Sequence, residues 1–213
     1  MNDWGERVWT GTEYRELDDP ASKFPEKTVR TADPYIHELL YDNRRFVSAA
    51  SEMLIFTGGS CLNNHTTESP RHSSYGFVLN SSHSGIISSE AQGLNDRSSA
   101  CTETNSRAEL LAVIAALQYR DWWLEGWKRI VIAADSEYLC KGATNWLRDW
   151  PNRGWLTAKN KPVANQDLWK CLSEVLGSYA KKGCEVSFWK VEKEVNFLAH
   201  LAAQIKVTKA EEE

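Results

Sequence analysis

Two groups of side chains in this sequence could do chemistry. The first is the carboxylate of Asp135, which follows the apolar run Arg129-Ile-Val-Ile-Ala-Ala. A short apolar run bounded by charge predicts a buried strand, and α/β sheets gather ligands at the C-terminal ends of their strands. The second lies downstream, where Trp146 and Trp150 stand four residues apart and so share a helical face, with Trp155 beyond Gly154. Arg148, Arg153, Lys159 and Lys161 are interleaved with them. Aromatic faces suit sugars and bases and cations suit phosphates, so this stretch fits either contact with nucleic acid or core tryptophans beside a solvated cationic face.

The elements that position these groups come from a chain long enough for one good core. It has 213 residues, 42% of them hydrophobic, and a formal net charge of −4. A chain with that charge has no global basic field, so nucleic-acid binding must rest on a local patch. The cysteines (Cys61, Cys101, Cys140, Cys171 and Cys184) are odd in number, with no Cys-x-x-Cys and no histidine at zinc spacing, which predicts reduced thiols. No apolar run reaches the roughly 20 residues of a membrane span. With Asp3 and Glu6 near the start and no apolar leader, the expectation is an intracellular protein, cytoplasmic or nuclear, without a secretion signal.

Residues 1–50 read as an N-terminal extension punctuated by Pro20, Pro25 and Pro34, with one helical candidate at Tyr35–Tyr41 and with Trp4 and Trp9 free to pack on the domain after it. Strands are expected at Met53–Phe56, Tyr75–Leu79 and Gly85–Ser88, linked as an antiparallel meander. Thr104-Asn105-Ser106 should cap a helix carrying Leu110, Leu111, Ile114 and Leu117. After the Asp135 strand, helices are expected from near Ser136, over Asp167–Tyr179 and over Val195–Ile205, with a last strand at Cys184–Trp189. The order β-β-β-α-β-α-α-β-α describes one α/β domain over 51–207 with an acidic tail at 208–213.

That order, with a residue string at each element, resembles type 1 ribonuclease H. The strings are Thr104-Asn105-Ser106-Arg107-Ala108-Glu109, Asp135-Ser136-Glu137-Tyr138, the stretch Lys141–Thr157 around its tryptophans, and Lys161–Trp169. The resemblance implies a ribonuclease H-like fold, a mixed five-stranded sheet flanked by helices. It also implies an RNA/DNA hybrid or another duplex nucleic acid as the partner. Tyr138, Trp146 and Trp150 match the DNA-strand channel, with Arg148, Arg153, Trp155 and Lys161 in and beyond the basic protrusion. Thr104 and Asn165 match the phosphate pocket. Asn64, Asn105 and Ser106 match positions on the RNA strand, where 2′-hydroxyls need small polar partners.

The family cuts RNA with two Mg²⁺ ions held by four carboxylates. Glu109 and Asp135 match the second and third of these. The first position reads Thr57-Gly58-Gly59-Ser60 and the fourth Asn196-Phe-Leu-Ala199-His200, so Gly58 and His200 replace two ligands. Two carboxylates oppose the +4 of a magnesium pair with about −2, which disfavours holding it. The resemblance therefore implies no firm cofactor. It leaves three readings: a hybrid-binding protein impaired in cleavage, a ribonuclease using Mn²⁺ or one metal on Glu109, Asp135 and His200, or a retired nuclease docking a protein partner through residues 1–50.

Overall fold

The computed structural model describes residues 11–13, 23–28, 44–48, 51–62, 72–91 and 104–209. Among the described residues, eight strands form one sheet: β1 (Gly11–Glu13), β2 (Glu26–Thr28), β3 (Arg44–Val47), β4 (Glu52–Leu62), β5 (His72–Val78), β6 (Ile86–Glu90), β7 (Arg129–Ala134) and β8 (Glu185–Lys190). Four helices accompany it: α1 (Asn105–Gln118), α2 (Glu137–Lys141, running on through a wide turn at Gly142–Trp146), α3 (Gln166–Lys181) and α4 (Phe197–Lys209). The expected five strands are all present as β4–β8. β4 does not stop before its glycines; it continues through Gly58 and Gly59 to Leu62.

β4 is the axis of the sheet. It pairs parallel with β7 from Glu52 to Phe56 and antiparallel with β5 from Phe56 to Leu62. β7 pairs parallel with β8. A row of charge clips the start of these three parallel strands, where Glu52, Arg129 and Glu185 are register partners. Arg129 reaches Glu52 at 2.5 Å and Glu185 at 2.7 Å.

Residues 1–50 do more than extend the domain. β3 pairs with β4 at Phe46–Leu54 and Val47–Met53, β2 pairs with β3, and β1 pairs parallel with β8 at the opposite edge. The sequence predicted none of these strands, because runs of three or four residues with mixed charge carry no period-2 signal. The helical candidate at 35–41, Trp4 and Trp9 lie outside the described residues. The described strands within residues 1–50 are therefore part of the sheet.

Alternate residues of β4 serve opposite faces. Met53 and Ile55 join Leu110, Leu111 and Ile114 of α1 and Leu172 and Leu176 of α3 in the larger core. Leu54 joins Val131, Ala133, Trp189 and Val191 on the other face, where Phe24 closes the cluster with its ring 6.3 Å from that of Trp189. Phe24 is fully buried. Replacing it with alanine should therefore cost about 3 kcal/mol of stability, as for a core phenylalanine. Urea denaturation of the full chain measures this, and an unchanged midpoint would return residues 1–50 to the status of an appendage.

Candidate active-site cleft and nucleic-acid interface

The cleft floor is set by how close two helices come to β4. An ideal Cβ built on Gly59 would lie 2.3 Å from the backbone nitrogen of Glu109, so α1 rests directly on the strand there. A Cβ on Gly58, on the opposite face, would lie 2.9 Å from the carbonyl carbon and oxygen of Ala199 and 3.0 Å from the nitrogen of His200. All three are backbone atoms of α4, which cannot rotate away as a side chain could. Gly76, the register partner of Gly58, adjoins Ala202 of the same helix. The position where the resemblance expects the first carboxylate is thus occupied by the body of α4.

Three residues tie the start of that helix to the floor. His200 Nε2 lies 2.7 Å from Asp135 Oδ2. A carboxylate only accepts, so Nε2 is the nitrogen that carries the proton. Asn196 Nδ2 donates to Asp135 Oδ1 at 2.7 Å and to the carbonyl of Thr57 at 2.9 Å. Asn196 is fully buried, and its Oδ1 has no hydrogen-bond partner. A flipped amide would set that oxygen against two acceptors, so the bare Oδ1 is the smaller cost, of order 1–3 kcal/mol. Farther along, Ser74 Oγ donates to the carbonyl of Ala203.

The electrostatics are set by these contacts. Burial alone would raise the Asp135 carboxyl, but hydrogen bonds from His200 and Asn196 and the charge of His200 hold it down at about 2. Glu109 is pushed the other way: burial raises its carboxyl and the Asp135 charge adds to this, while a Ser136 hydrogen bond and His200 oppose it. Glu109, Asp135 and His200 therefore share one field. Among the described residues, however, no three His, Cys, Asp or Glu side chains are grouped to hold a metal ion.

The residues present do not fit a magnesium pair. Gly58 offers no ligand and no room for one, both oxygens of Asp135 already accept protein donors, and an imidazole stands where a hard cation needs an anionic oxygen. No chemical step through a metal pair is derivable from this arrangement.

The second grouping lies along α2 and the loop after it. Trp146 is 38% exposed and presents the aromatic surface, whereas Trp150 is buried, 5.8 Å from Trp146 and 5.2 Å from Trp169 between ring centroids. Trp150 packs beneath the face as its anchor. Tyr138 donates to the carbonyl of Ala164 at 3.2 Å and accepts from Trp169 Nε1 at 2.9 Å, fixing its ring beside Trp146. Gly154 and Trp155 both adopt left-handed backbone, with φ of 63° and 61°, which turns the chain back so that Lys170 sits 5.3 Å over the Trp155 ring. Arg148, Arg153 and Lys161 are exposed.

The polar positions fall at the start of α1 and α3. Thr104 caps α1, accepting from the nitrogen of Arg107 at 3.2 Å. Asn105 Oδ1 accepts from the nitrogen of Cys61 at 2.7 Å, and Ser106 is half-buried beside it. Asn165 opens α3 in left-handed conformation. Asn64 lies outside the described residues. Two residues were missed in the sequence. Arg107 bonds Asp167 twice, at 2.9 and 2.6 Å, and reaches Asn165 at 3.5 Å, so it holds the starts of α1 and α3 together. Asn196 precedes His200 by one helical turn, a spacing that placed both on one face and could have marked it.

A mixed sheet in this strand order, with helices on both faces, is the ribonuclease H fold. The family model for RNase H matches residues 50–192, and the chain belongs to that family. The match ends just before α4, which carries His200 in its first turn and which Asn196 immediately precedes. The ribonuclease H of Citrobacter koseri is 38% identical over 128 residues, 60% of this chain and 72% of that protein. The RNase H domain of PFV has a similar fold, with a TM-score of 0.54 at 20% identity over 73% of this chain and 94% of that one. So does a foamy viral protease-reverse transcriptase solved with an RNA/DNA hybrid, at a TM-score of 0.55 and 19% identity, where 83% of this chain covers 24% of that one. No helix among the described residues is long and apolar enough to cross a membrane.

The Arg107–Asp167 pair carries a pH signature. The Arg107 hydrogen bond lowers the Asp167 carboxyl against the opposing effect of burial. A carboxyl lowered on folding adds stability above its ordinary value of 3.8 and loses it as pH falls through the lower folded value. Asp167 is half exposed, which weakens the pair. Asp167→Asn should cost about 1–2 kcal/mol at pH 7, with the deficit shrinking toward pH 3. Thermal melts of both proteins across that range check it; a deficit independent of pH would mean the pair is not ionic.

Proposed function

We propose that the protein binds RNA/DNA hybrid in the cleft between the cleft floor and the aromatic face of α2, and that it lacks two-metal cleavage. The observation that carries the reading is the contrast between the two halves of the cleft. An exposed Trp146 flanked by exposed Arg148, Arg153 and Lys161 is a surface for a nucleic-acid strand, with Tyr138 and Trp150 as its supports. The floor, by comparison, presents Glu109 and an Asp135 already tied to His200 and Asn196.

In this reading Thr104 and Asn165, linked through Arg107, border a phosphate, while Asn105 and Ser106 face the RNA strand, together with Asn64. The fold relative solved with an RNA/DNA hybrid lends support to the substrate class. Glu109 and Asp135 are remnants of a metal site and hold no Mg²⁺ pair. The ribonuclease reading with Mn²⁺ or a single metal would rest on Glu109, Asp135 and His200, which share one field, and is kept as an outcome of the test.

Fluorescence anisotropy with labelled hybrid and labelled duplex DNA tests the binding. The hybrid should bind more tightly at moderate salt, and affinity should fall as salt rises. Trp146→Ala should weaken hybrid binding roughly 5- to 100-fold, as expected for one lost stacking platform at about 1–3 kcal/mol. Equal affinity for both duplexes, or an unaffected Trp146→Ala variant, would overturn the reading. Cleavage of the same hybrid in Mg²⁺ or Mn²⁺, abolished by Glu109→Gln, would replace it with the ribonuclease.

A further inference from the structure

We infer that His200, Asp135 and Asn196 close the cleft floor with protein hydrogen bonds at the place where the resemblance puts a two-metal site. They tie α4 to the cleft floor, so the protein folds and takes up nucleic acid without divalent metal. The part concerning nucleic acid rests on the reading proposed above; the part concerning folding does not.

In a cluster of carboxylates drawn together by a fold, each charge repels the others, and a bound cation is what offsets the repulsion. Here one carboxylate is deleted outright at Gly58, and the fourth position carries a donor in its place. The His200 N–H meets Oδ2 of Asp135 and the Asn196 amide meets Oδ1, so the remaining strand-end carboxylate has a protein donor on each oxygen. The same amide reaches Thr57 of β4, which joins α4, β4 and the residue after β7 in one hydrogen-bonded knot.

The glycine seat is the other half of the arrangement. The knot closes only because α4 lies against β4 with no side chain at position 58, and Ala199, at the contact, is fully buried. Deleting the first carboxylate and exchanging the fourth are thus one structural change. The first lets the helix down onto the strand, and the second supplies the donor that holds it there. A cation entering this floor would meet an Asp135 whose two oxygens each already accept a protein donor, beside the imidazole of His200, and would find no ligand from β4.

The wild-type full chain decides the point, measured in chelator and in millimolar Mg²⁺ or Mn²⁺ at matched ionic strength. The melting temperature should be the same in all three solutions, and hybrid affinity should agree within about twofold, the small residue coming from counterion exchange. His200→Asp replaces the donor with a second carboxylate facing Asp135. That variant should melt several degrees lower than wild type in chelator and recover in part with either metal. Gly58→Ala should lower the melting temperature in every solution, because a methyl group there meets the backbone of α4.

A wild-type melting temperature raised several degrees by metal, or a hybrid affinity raised tenfold, would overturn the inference. So would a His200→Asp variant as stable in chelator as the parent. If hybrid is not bound in any solution while the melts behave as expected, the proposed function fails and the metal-free floor stands. A His200→Asp variant that does not fold in chelator but folds with metal supports the inference in its strongest form.

Discussion

The structure turns on the approach of one helix to one strand. α4 lies on β4 so closely that the missing side chain of Gly58 is filled by the main chain of Ala199 and His200. Backbone cannot be repacked as a side chain can, so this contact fixes the height of α4 above the sheet. It also sets where Asn196 and His200 point, and therefore what Asp135 is bonded to. On the other face, Gly59 lets α1 down in the same way and brings Glu109 beside the same strand. Two adjacent glycines pointing to opposite faces thin the sheet at the place where the cleft floor forms.

That geometry changes the character of the floor. A row of carboxylates attracts hard cations and repels a phosphate backbone until those cations arrive. A carboxylate that accepts from an imidazole and an amide has both oxygens already engaged, and its low pKa reflects donors that are part of the chain. The aromatic and basic surface along α2 is built on separate supports, with Trp150 and Trp169 packed beneath Trp146 and Tyr138. Alteration of the floor therefore leaves the aromatic and basic face standing.

Much of this was legible in the sequence, for identifiable reasons. The five central strands and four helices announce themselves through apolar runs and through caps such as Thr104 and Ser136, which the structure has at the starts of α1 and α2. The exchanges at Gly58 and His200 were visible as departures from a family string. Their meaning was not, because a string shows what a position lacks and not what moves into its space. The hydrogen bond between His200 and Asp135 joins residues 65 apart, and no local pattern foretells it. Trp150 reads as a contact residue from its spacing yet is buried, since helical periodicity marks a face without saying what covers it. The short N-terminal strands were missed because their pairing is decided by the open edges of β4 and β8.

The central claim is that Asp135 is held by the protein donors His200 and Asn196 where the resemblance implies a metal ligand. Calorimetric titration of the full chain with Mn²⁺, repeated with Mg²⁺, addresses that directly. The account predicts no saturable heat at millimolar ion in the wild-type protein. Two ions bound per chain, with the heat removed by Asp135→Asn, would contradict it.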